Sequence, residues 1–189
     1  MLRIKRGFDV VVAATMLVML APILILLAIL IRLTSEGPAL HWSMRVGKGN
    51  GMFEMPKFRS MRMDAPQLPS HLFVKPELYL TPIGSFIRRT SLDEIPQLFS
   101  VLKGQMSMVG PRPALYSQID LITARTEKGI HLLHPGLTGW AQVNGRDELS
   151  VSDKVDFDYE YLKRQSFKLD MEIVGMTVAR VLQRKNVSH

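Results

Sequence analysis

The chain has no cysteine among its 189 residues. This absence excludes a disulfide framework, a thiol nucleophile, a Cys-ligated zinc site and an iron–sulfur cluster. The glycines follow neither the Walker spacing nor the βαβ fingerprint, which argues against a phosphate loop and a doubly wound nucleotide-binding sheet. Charged residues make up 22% of the chain and hydrophobic residues 47%. These values exclude wholesale disorder, and the length fits one modest domain.

The balance of charge is positive, since 24 Lys and Arg residues face 17 Asp and Glu residues and give a net charge of +7. An excess of this kind favours anionic partners such as phosphates or an anionic membrane surface. No nucleic-acid-binding module is recognisable, and the apolar segment described next argues against nucleic acid as the partner.

Residues 10–31 form a run of 22 residues without a charge, in which only Thr15 and Pro22 are not apolar. A helix of this length reaches about 33 Å, enough to cross a bilayer core. The run is too long for a typical signal peptide and lacks a cleavage pattern after it. Pro22 near its middle predicts a kink, and basic residues flank both ends. A kinked span and a re-entrant hairpin both fit these features.

Downstream, two short strands, Leu40–Val46 and Met52–Phe58, flank a glycine-rich turn and predict a β-hairpin. Prolines punctuate residues 64–82, which favours an exposed loop. Helical periodicity follows at residues 91–102, 115–128, 152–164 and 170–185. The last segment is amphipathic with a basic edge, and it fits both packing on the core and lying along a membrane surface.

An acidic pair, Asp93-Glu94, opens the first of these helical segments. Ser91 and Glu94 have the spacing of a capping box, which is a purely structural interpretation. Arg88 precedes the pair and Arg112 follows it between two prolines. Carboxylates among guanidinium groups are typical of a site where a metal ion and phosphates meet.

These residues form part of a longer set of motifs. The set comprises Lys5-Arg6-x-x-Asp9, Arg45-x-Gly47, Lys57-Phe58-Arg59-Ser60-Met61, Arg88-Arg89-Thr90-Ser91-Leu92-Asp93-Glu94-Ile95-Pro96-Gln97-Leu98, Gly104-x-Met106-Ser107-Met108-Val109-Gly110-Pro111-Arg112-Pro113, Pro135-Gly136-Leu137-Thr138-Gly139-Trp140-Ala141-Gln142-Val143-Asn144-Gly145-Arg146 and Asp158-x-x-Tyr161. Through them nearly the whole chain resembles the small monotopic phosphoglycosyl transferases of the bacterial sugar transferase family. The resemblance implies an enzyme that moves a sugar 1-phosphate from a UDP-sugar to polyprenyl (undecaprenyl) phosphate and releases UMP.

The resemblance also implies residue roles. Asp93 would be the nucleophile of a ping-pong reaction through an aspartyl-phosphosugar intermediate, and Glu94 would ligate Mg²⁺. Arg88 and Arg112 would contact phosphates, and Lys57 and Arg59, two apart on a strand, would extend the anion site. The nucleotide or sugar pocket is assigned to Gln142, Asn144 and Arg146, although a tight turn at Asn144-Gly145 fits the same run.

For the fold, the expectation is a mostly helical α+β protein. A re-entrant helix-break-helix anchor at residues 1–33 would be broken at Pro22 and held near the headgroups by Lys5, Arg6 and Asp9. Residues 34–189 would form a compact cytoplasmic catalytic domain with a short β-hairpin and amphipathic interfacial helices.

Further expectations concern location and partners. The protein would sit in the bacterial inner membrane with this domain facing the cytoplasm and membrane lipids as partners, and it would catalyse the first membrane step of a surface glycan or glycoprotein pathway. A homodimer stays open. The alternative from another class is a membrane-surface scaffold or binding protein without chemistry.

Overall fold

A computed structural model describes residues 2–65, 76–145 and 149–183, and within them the protein is mostly helical with short strands. The helices are α1 (Leu2–Thr34), α2 (Gly84–Arg89), α3 (Leu98–Leu102), α4 (Ile119–Glu127), α5 (Trp140–Asn144), α6 (Val151–Arg164) and α7 (Phe167–Gln183). The strands are β1 (Leu40–Val46), β2 (Met52–Phe58), β3 (Ser107–Val109) and β4 (Gly136–Thr138). Short 3₁₀ helices lie at Lys48–Asn50, Pro76–Tyr79, Leu92–Gln97 and Ile130–Leu132.

Helix α1 is long and apolar enough to cross a membrane. It runs without interruption through Pro22, which differs from the predicted helix-break-helix. A proline inside a helix removes one main-chain hydrogen bond, and the helix can resume beyond it. The middle of α1 projects large apolar side chains into solvent, with Val18 76% and Met19 73% exposed.

The start of α1 is attached to the rest of the protein by polar contacts. These join Lys5 Nζ to Asp170 Oδ2 (2.6 Å) and Val109 O (3.0 Å), Arg6 to Val101 O (2.6 Å) and Leu102 O (2.8 Å), and Asp9 Oδ1 to the main-chain N–H of Met108 (3.0 Å). The sequence suggested lipid headgroups as the surroundings of these three residues, whereas the structure gives them protein partners. They dock α1 on the folded body.

The end of α1 contacts the same body at a different place. Leu27 and Ile31 are buried and pack against Phe58 of β2 and Ile87 of α2. A second apolar cluster, which includes Ala13 of α1, forms the main core from β2, α3, β3, α6 and α7. The body therefore touches α1 near both of its ends.

The hairpin has the strand bounds that the sequence predicts on either side of the glycine-rich turn. Strands β1 and β2 pair antiparallel, with Leu40 opposite Phe58 and Arg45 opposite Phe53. Strands β3 and β4 form a separate parallel pair of buried segments, with Ser107 opposite Gly136. The chain leaves β3 directly into Gly110–Pro113, so the core fixes the base of this segment.

Helix α7 packs on the core, as one of the two interpretations of its sequence predicts. In its first half Leu169 and Ile173 are buried in the main core. Further along, Val178 and Val181 are 54% and 47% exposed. Helix α7 thus packs on the core and also carries apolar side chains into solvent.

Candidate active site

A tight turn places the acidic pair. Ser91 has φ 57° and ψ 19°, a left-handed conformation that non-glycine residues adopt at a cost. Its main-chain N–H donates to the carbonyl of Arg88 at 3.1 Å, and its carbonyl accepts from the N–H of Glu94 at 3.2 Å. The turn thereby reverses the chain between α2 and the 3₁₀ helix that carries Asp93. The capping box is wrong, because the Ser91 side chain makes no capping hydrogen bond.

Glu94 accepts from two cations through one carboxylate oxygen. Its Oε1 lies 2.7 Å from the Arg112 guanidinium and 3.2 Å from Lys57 Nζ. The three side chains come from the 3₁₀ helix, from the segment after β3 and from β2. Their exposed fractions are 13%, 31% and 17%, so the contacts are largely shielded from water. Shielding of this kind strengthens the attraction between opposite charges.

The hairpin brings two further basic side chains to the same site. The register pairs His41 with Lys57 and Arg45 with Phe53, and directly opposed residues share one face of a sheet. Burial lowers the pKa of Arg45 to about 10, and the nearby Arg112 guanidinium adds to the effect. Burial also lowers the pKa of His41, with Lys57 and Arg45 adding to it.

Sequence reasoning quoted Arg45 only within a motif and gave His41 no role. Successive side chains of a strand point to opposite faces, and this rule, applied to the predicted hairpin, could have placed His41 and Arg45 beside Lys57. Counting outward from the turn puts His41, Arg45 and Lys57 on one face.

Asp93 is the carboxyl whose ionisation the site perturbs most clearly. Burial and the neighbouring Glu94 charge raise the pKa of Asp93 to about 6, against the opposing pull of Lys57, Arg88 and Arg112. At neutral pH the group is therefore ionised but poorly solvated. A carboxylate in this state, facing the electrophilic phosphorus of a diphosphate, has the charge and the reduced hydration of a nucleophile.

Among the described residues, the positive charges around the pair outnumber the negative ones. Asp93 interacts electrostatically with Lys57, Arg88 and Arg112, and Arg45 interacts with Glu94 and Arg112. Like charges held together in a partly buried site repel, so this positive excess favours binding of a multiply charged anion. A diphosphate matches this excess in both charge and hydrogen-bonding oxygens.

A divalent cation has a limited set of protein ligands here. Among the described residues there is no group of three or more His, Cys, Asp or Glu side chains placed to hold a metal ion. Asp93 and Glu94 supply carboxylate oxygens, the donor type that Mg²⁺ prefers. Mg²⁺ commonly binds through one or two carboxylates together with substrate phosphates and water. The donor set therefore fits Mg²⁺ that arrives with a diphosphate.

Arg59 does not join this cluster although it is two residues from Lys57. Strand β2 ends at Phe58, and the Arg59 side chain is 4% exposed. Its guanidinium donates to the carbonyl of Ser35 at 2.9 Å and also to the carbonyls of Glu36 and Gly37. The residue predicted to bind phosphate instead holds the chain that leaves α1.

The predicted pocket residues bond within their own segment. Gln142 Nε2 donates to the carbonyl of Leu137 at 3.1 Å, and Asn144 Nδ2 donates to that of Trp140 at 2.8 Å. Asn144 ends α5, and Gly145 follows it. These hydrogen bonds stay within residues 137–144, and Arg146 lies outside the described residues.

Comparison with known proteins matches this chain along almost its whole length. The family model described as bacterial sugar transferase matches residues 1–184. Undecaprenyl-phosphate glucose phosphotransferase of Komagataeibacter xylinus is 40% identical over 198 residues, which cover 96% of this chain and 36% of that protein. UDP-glucose:undecaprenyl-phosphate glucose-1-phosphate transferase of Escherichia coli K12 is 37% identical over 182 residues, which cover 93% of this chain and 39% of that protein.

A shorter relative has nearly the same extent. Uncharacterized sugar transferase EpsL of Bacillus subtilis is 36% identical over 184 residues, which cover 97% of this chain and 90% of that protein. By contrast, this chain spans well under half the length of the two longer relatives.

Proposed function

Because the chain belongs to the bacterial sugar transferase family, we propose that it transfers a sugar 1-phosphate from a UDP-sugar to undecaprenyl phosphate. The products are undecaprenyl diphosphosugar and UMP. The observation that carries the proposal is the Asp93-Glu94 pair among four cations, an arrangement suited to a diphosphate and a carboxylate nucleophile. Relatives named as undecaprenyl-phosphate sugar phosphotransferases support the choice of acceptor.

The reaction proceeds in two displacements. An Asp93 carboxylate oxygen attacks the sugar-bearing phosphorus of the donor, and the bond from that phosphorus to the bridging oxygen of UMP breaks. UMP leaves with the bonding electrons. A phosphate oxygen of the lipid then attacks the same phosphorus and releases the Asp93 carboxylate. A covalent intermediate lets a water-soluble donor and a lipid acceptor use one site in turn.

The basic residues stabilise charge during both displacements. Arg112 and Lys57 both contact Glu94 Oε1, and the planar guanidinium can hold two phosphate oxygens at once. Arg88 lies beside Asp93 and attracts the same anion. Glu94, with substrate phosphate oxygens, would hold Mg²⁺, which neutralises charge on the phosphoryl group.

Although α1 is continuous through Pro22, its contacts support a re-entrant anchor in the sense that both of its ends lie at one face of the membrane. The folded body binds α1 near its start through Lys5 and Asp9, and near its end through Ile31. A helix that crossed the bilayer would place these ends on opposite membrane surfaces. Basic residues flank both ends, as expected if both stay in the cytoplasm. We therefore place the catalytic body on the cytoplasmic face of the inner membrane, where headgroup phosphates lie.

The test is UMP release by the purified, lipid-solubilised chain with Mg²⁺ and undecaprenyl phosphate across a panel of UDP-sugars. We expect release with at least one donor, loss of release in Asp93→Asn, and retention in Asp156→Asn, which removes an exposed carboxylate on α6. Intact mass should show a phosphosugar adduct on the wild type when the acceptor is omitted.

Two results would contradict different parts of the proposal. No UMP release with any donor, together with no adduct by intact mass, would contradict the proposed enzymatic function and favour the membrane-surface scaffold. Release that survives in Asp93→Asn would contradict the assigned nucleophile while leaving the overall reaction intact.

A further inference from the structure

A buried ion pair contacts the main chain of Arg112, the arginine that we propose binds phosphate. Arg125 of α4 donates through Nε at 2.9 Å and through NH2 at 2.6 Å to Oδ2 of Asp158 on α6. The exposed fractions of the two side chains are 10% and 1%. Burial raises the pKa of Asp158, and Arg125 opposes the rise. The pair is thus a shielded link between two helices.

The same guanidinium makes a third hydrogen bond. Arg125 NH1 donates to the main-chain carbonyl of Arg112 at 2.8 Å. Arg125 therefore contacts both a buried carboxylate and the backbone of the residue that binds Glu94. Asp158 restrains the orientation of this guanidinium, because Nε and NH2 of Arg125 both donate to Oδ2 of Asp158.

The segment around Arg112 is restrained from several directions. Pro113 confines the preceding Arg112 to extended backbone conformations. Arg45 NH1 donates to the carbonyl of Pro113 at 3.3 Å, and the N–H of Val46 donates to that of Ala114 at 3.0 Å. At Arg112 itself, the main-chain carbonyl accepts the hydrogen bond from Arg125 NH1. With these carbonyls held, the Arg112 side chain leaves the backbone in a fixed direction.

We propose that Arg125, held by Asp158, is a positioning residue that orients Arg112 for the donor diphosphate. The inference rests on the proposed function for the identity of the donor. Within the described residues, the side chain of Arg125 hydrogen-bonds Asp158 and the carbonyl of Arg112, so it acts through the Arg112 main chain. Arg125 and Asp158, which lie 33 positions apart in the sequence, thereby become part of the site.

A nearby ion pair provides a matched control. Lys128 Nζ lies 2.6 Å from Asp156 Oδ1 and also links the end of the α4 region to α6. Both partners are exposed, and this ion pair involves no residue of the Arg112 segment. Lys128→Gln therefore removes a link between the same elements without altering the orientation of Arg112.

The experiment is a double-mutant cycle on the full chain with Arg125→Lys, Arg112→Ala and the combination of both. Lysine keeps a charge for Asp158 but cannot bond the carboxylate and the Arg112 carbonyl in one plane. Calorimetry measures pyrophosphate and UDP affinity, and UMP release measures kcat and KM for the UDP-sugar. Thermal unfolding checks that each variant is folded.

We expect Arg125→Lys to lower anion affinity and kcat/KM about 10- to 100-fold, as small misplacements of a positioning group do. In the Arg112→Ala background the same change should have an effect of less than about twofold, because the group that it orients is gone. Lys128→Gln should match the wild type. If Arg125→Lys does not fold, Asp158→Asn replaces it, since it keeps the shape of the carboxylate while weakening its hold on Arg125.

The outcomes separate the two proposals. Equal losses in both backgrounds, or unchanged affinity in a folded Arg125→Lys, would overturn the positioning role. A wild type that binds neither pyrophosphate nor UDP would overturn it as well. A wild type that binds pyrophosphate with the expected coupling but releases no UMP with any donor would contradict the proposed reaction and keep the positioning role.

Discussion

Asp93 shows how a site sets the ionisation of one residue. Because burial and Glu94 raise the pKa of Asp93 to about 6, the carboxylate that we propose as the nucleophile is lost as the pH falls through that value. We expect kcat/KM for the UDP-sugar to fall about tenfold per pH unit below that point, since this ratio reports the free enzyme. UMP release measured between about pH 5 and 8 checks this. A profile that stays flat down to the ordinary carboxyl range would contradict it.

The same shift predicts a more stable variant. An ionised Asp93 is disfavoured in the folded state, so Asp93→Asn should raise the free energy of unfolding at pH 7.5 by about 1–3 kcal/mol. The sign follows from the raised pKa. As the pH falls from about 6 towards 3.8, the folded wild type takes up the proton first and the difference disappears. Thermal unfolding of both proteins across this range tests it, and a gap independent of pH would point to another cause.

At the scale of elements, two basic residues near the end of β2 make different contacts. Arg59 holds the main chain that leaves α1, whereas Lys57 contacts Glu94. Arg59→Gln should lower the free energy of unfolding by about 2–4 kcal/mol, because buried carbonyls lose a charged donor. Pyrophosphate affinity per folded molecule should not change. Lys57→Gln should show the reverse, weaker anion binding with a smaller effect on stability.

Calorimetry and unfolding in mild detergent measure both properties. Arg62→Gln is the matched control, since Arg62 is exposed and its guanidinium pairs with the exposed carboxylate of Asp64. Loss of pyrophosphate binding in a folded Arg59→Gln variant would restore the phosphate role that the sequence suggested.

At the scale of the whole molecule, the arrangement of α1 decides where the chain lies. Both ends of α1 contact one body, so both should be accessible from one side of a sealed vesicle. The chain has no native cysteine, and Ile4→Cys and Glu36→Cys introduce single thiols at exposed positions on either side of the run. A membrane-impermeant maleimide should label both in inverted vesicles and neither in right-side-out vesicles. Labelling of the two thiols from opposite sides would show that α1 crosses the bilayer.

Much of the local structure could be predicted, because it depends on neighbours in the sequence. The two short strand-like runs around a glycine turn predict the bounds of β1 and β2, and the apolar run predicts α1. The local capping pattern failed at Ser91. Its backbone adopts a left-handed conformation that a spacing rule does not register, and tertiary packing decides it.

The sequence by itself determined the long apolar segment, the hairpin and the identity of the acidic pair, since these depend on residue type and short spacing. Only the tertiary structure decided that Lys57 and Arg112 meet at Glu94 and that Arg59 does not. It also paired Arg125 with Asp158 and Lys5 with Asp170. These contacts join residues far apart in the chain, and their formation depends on which buried charges find partners when the core packs, a choice that no local pattern encodes.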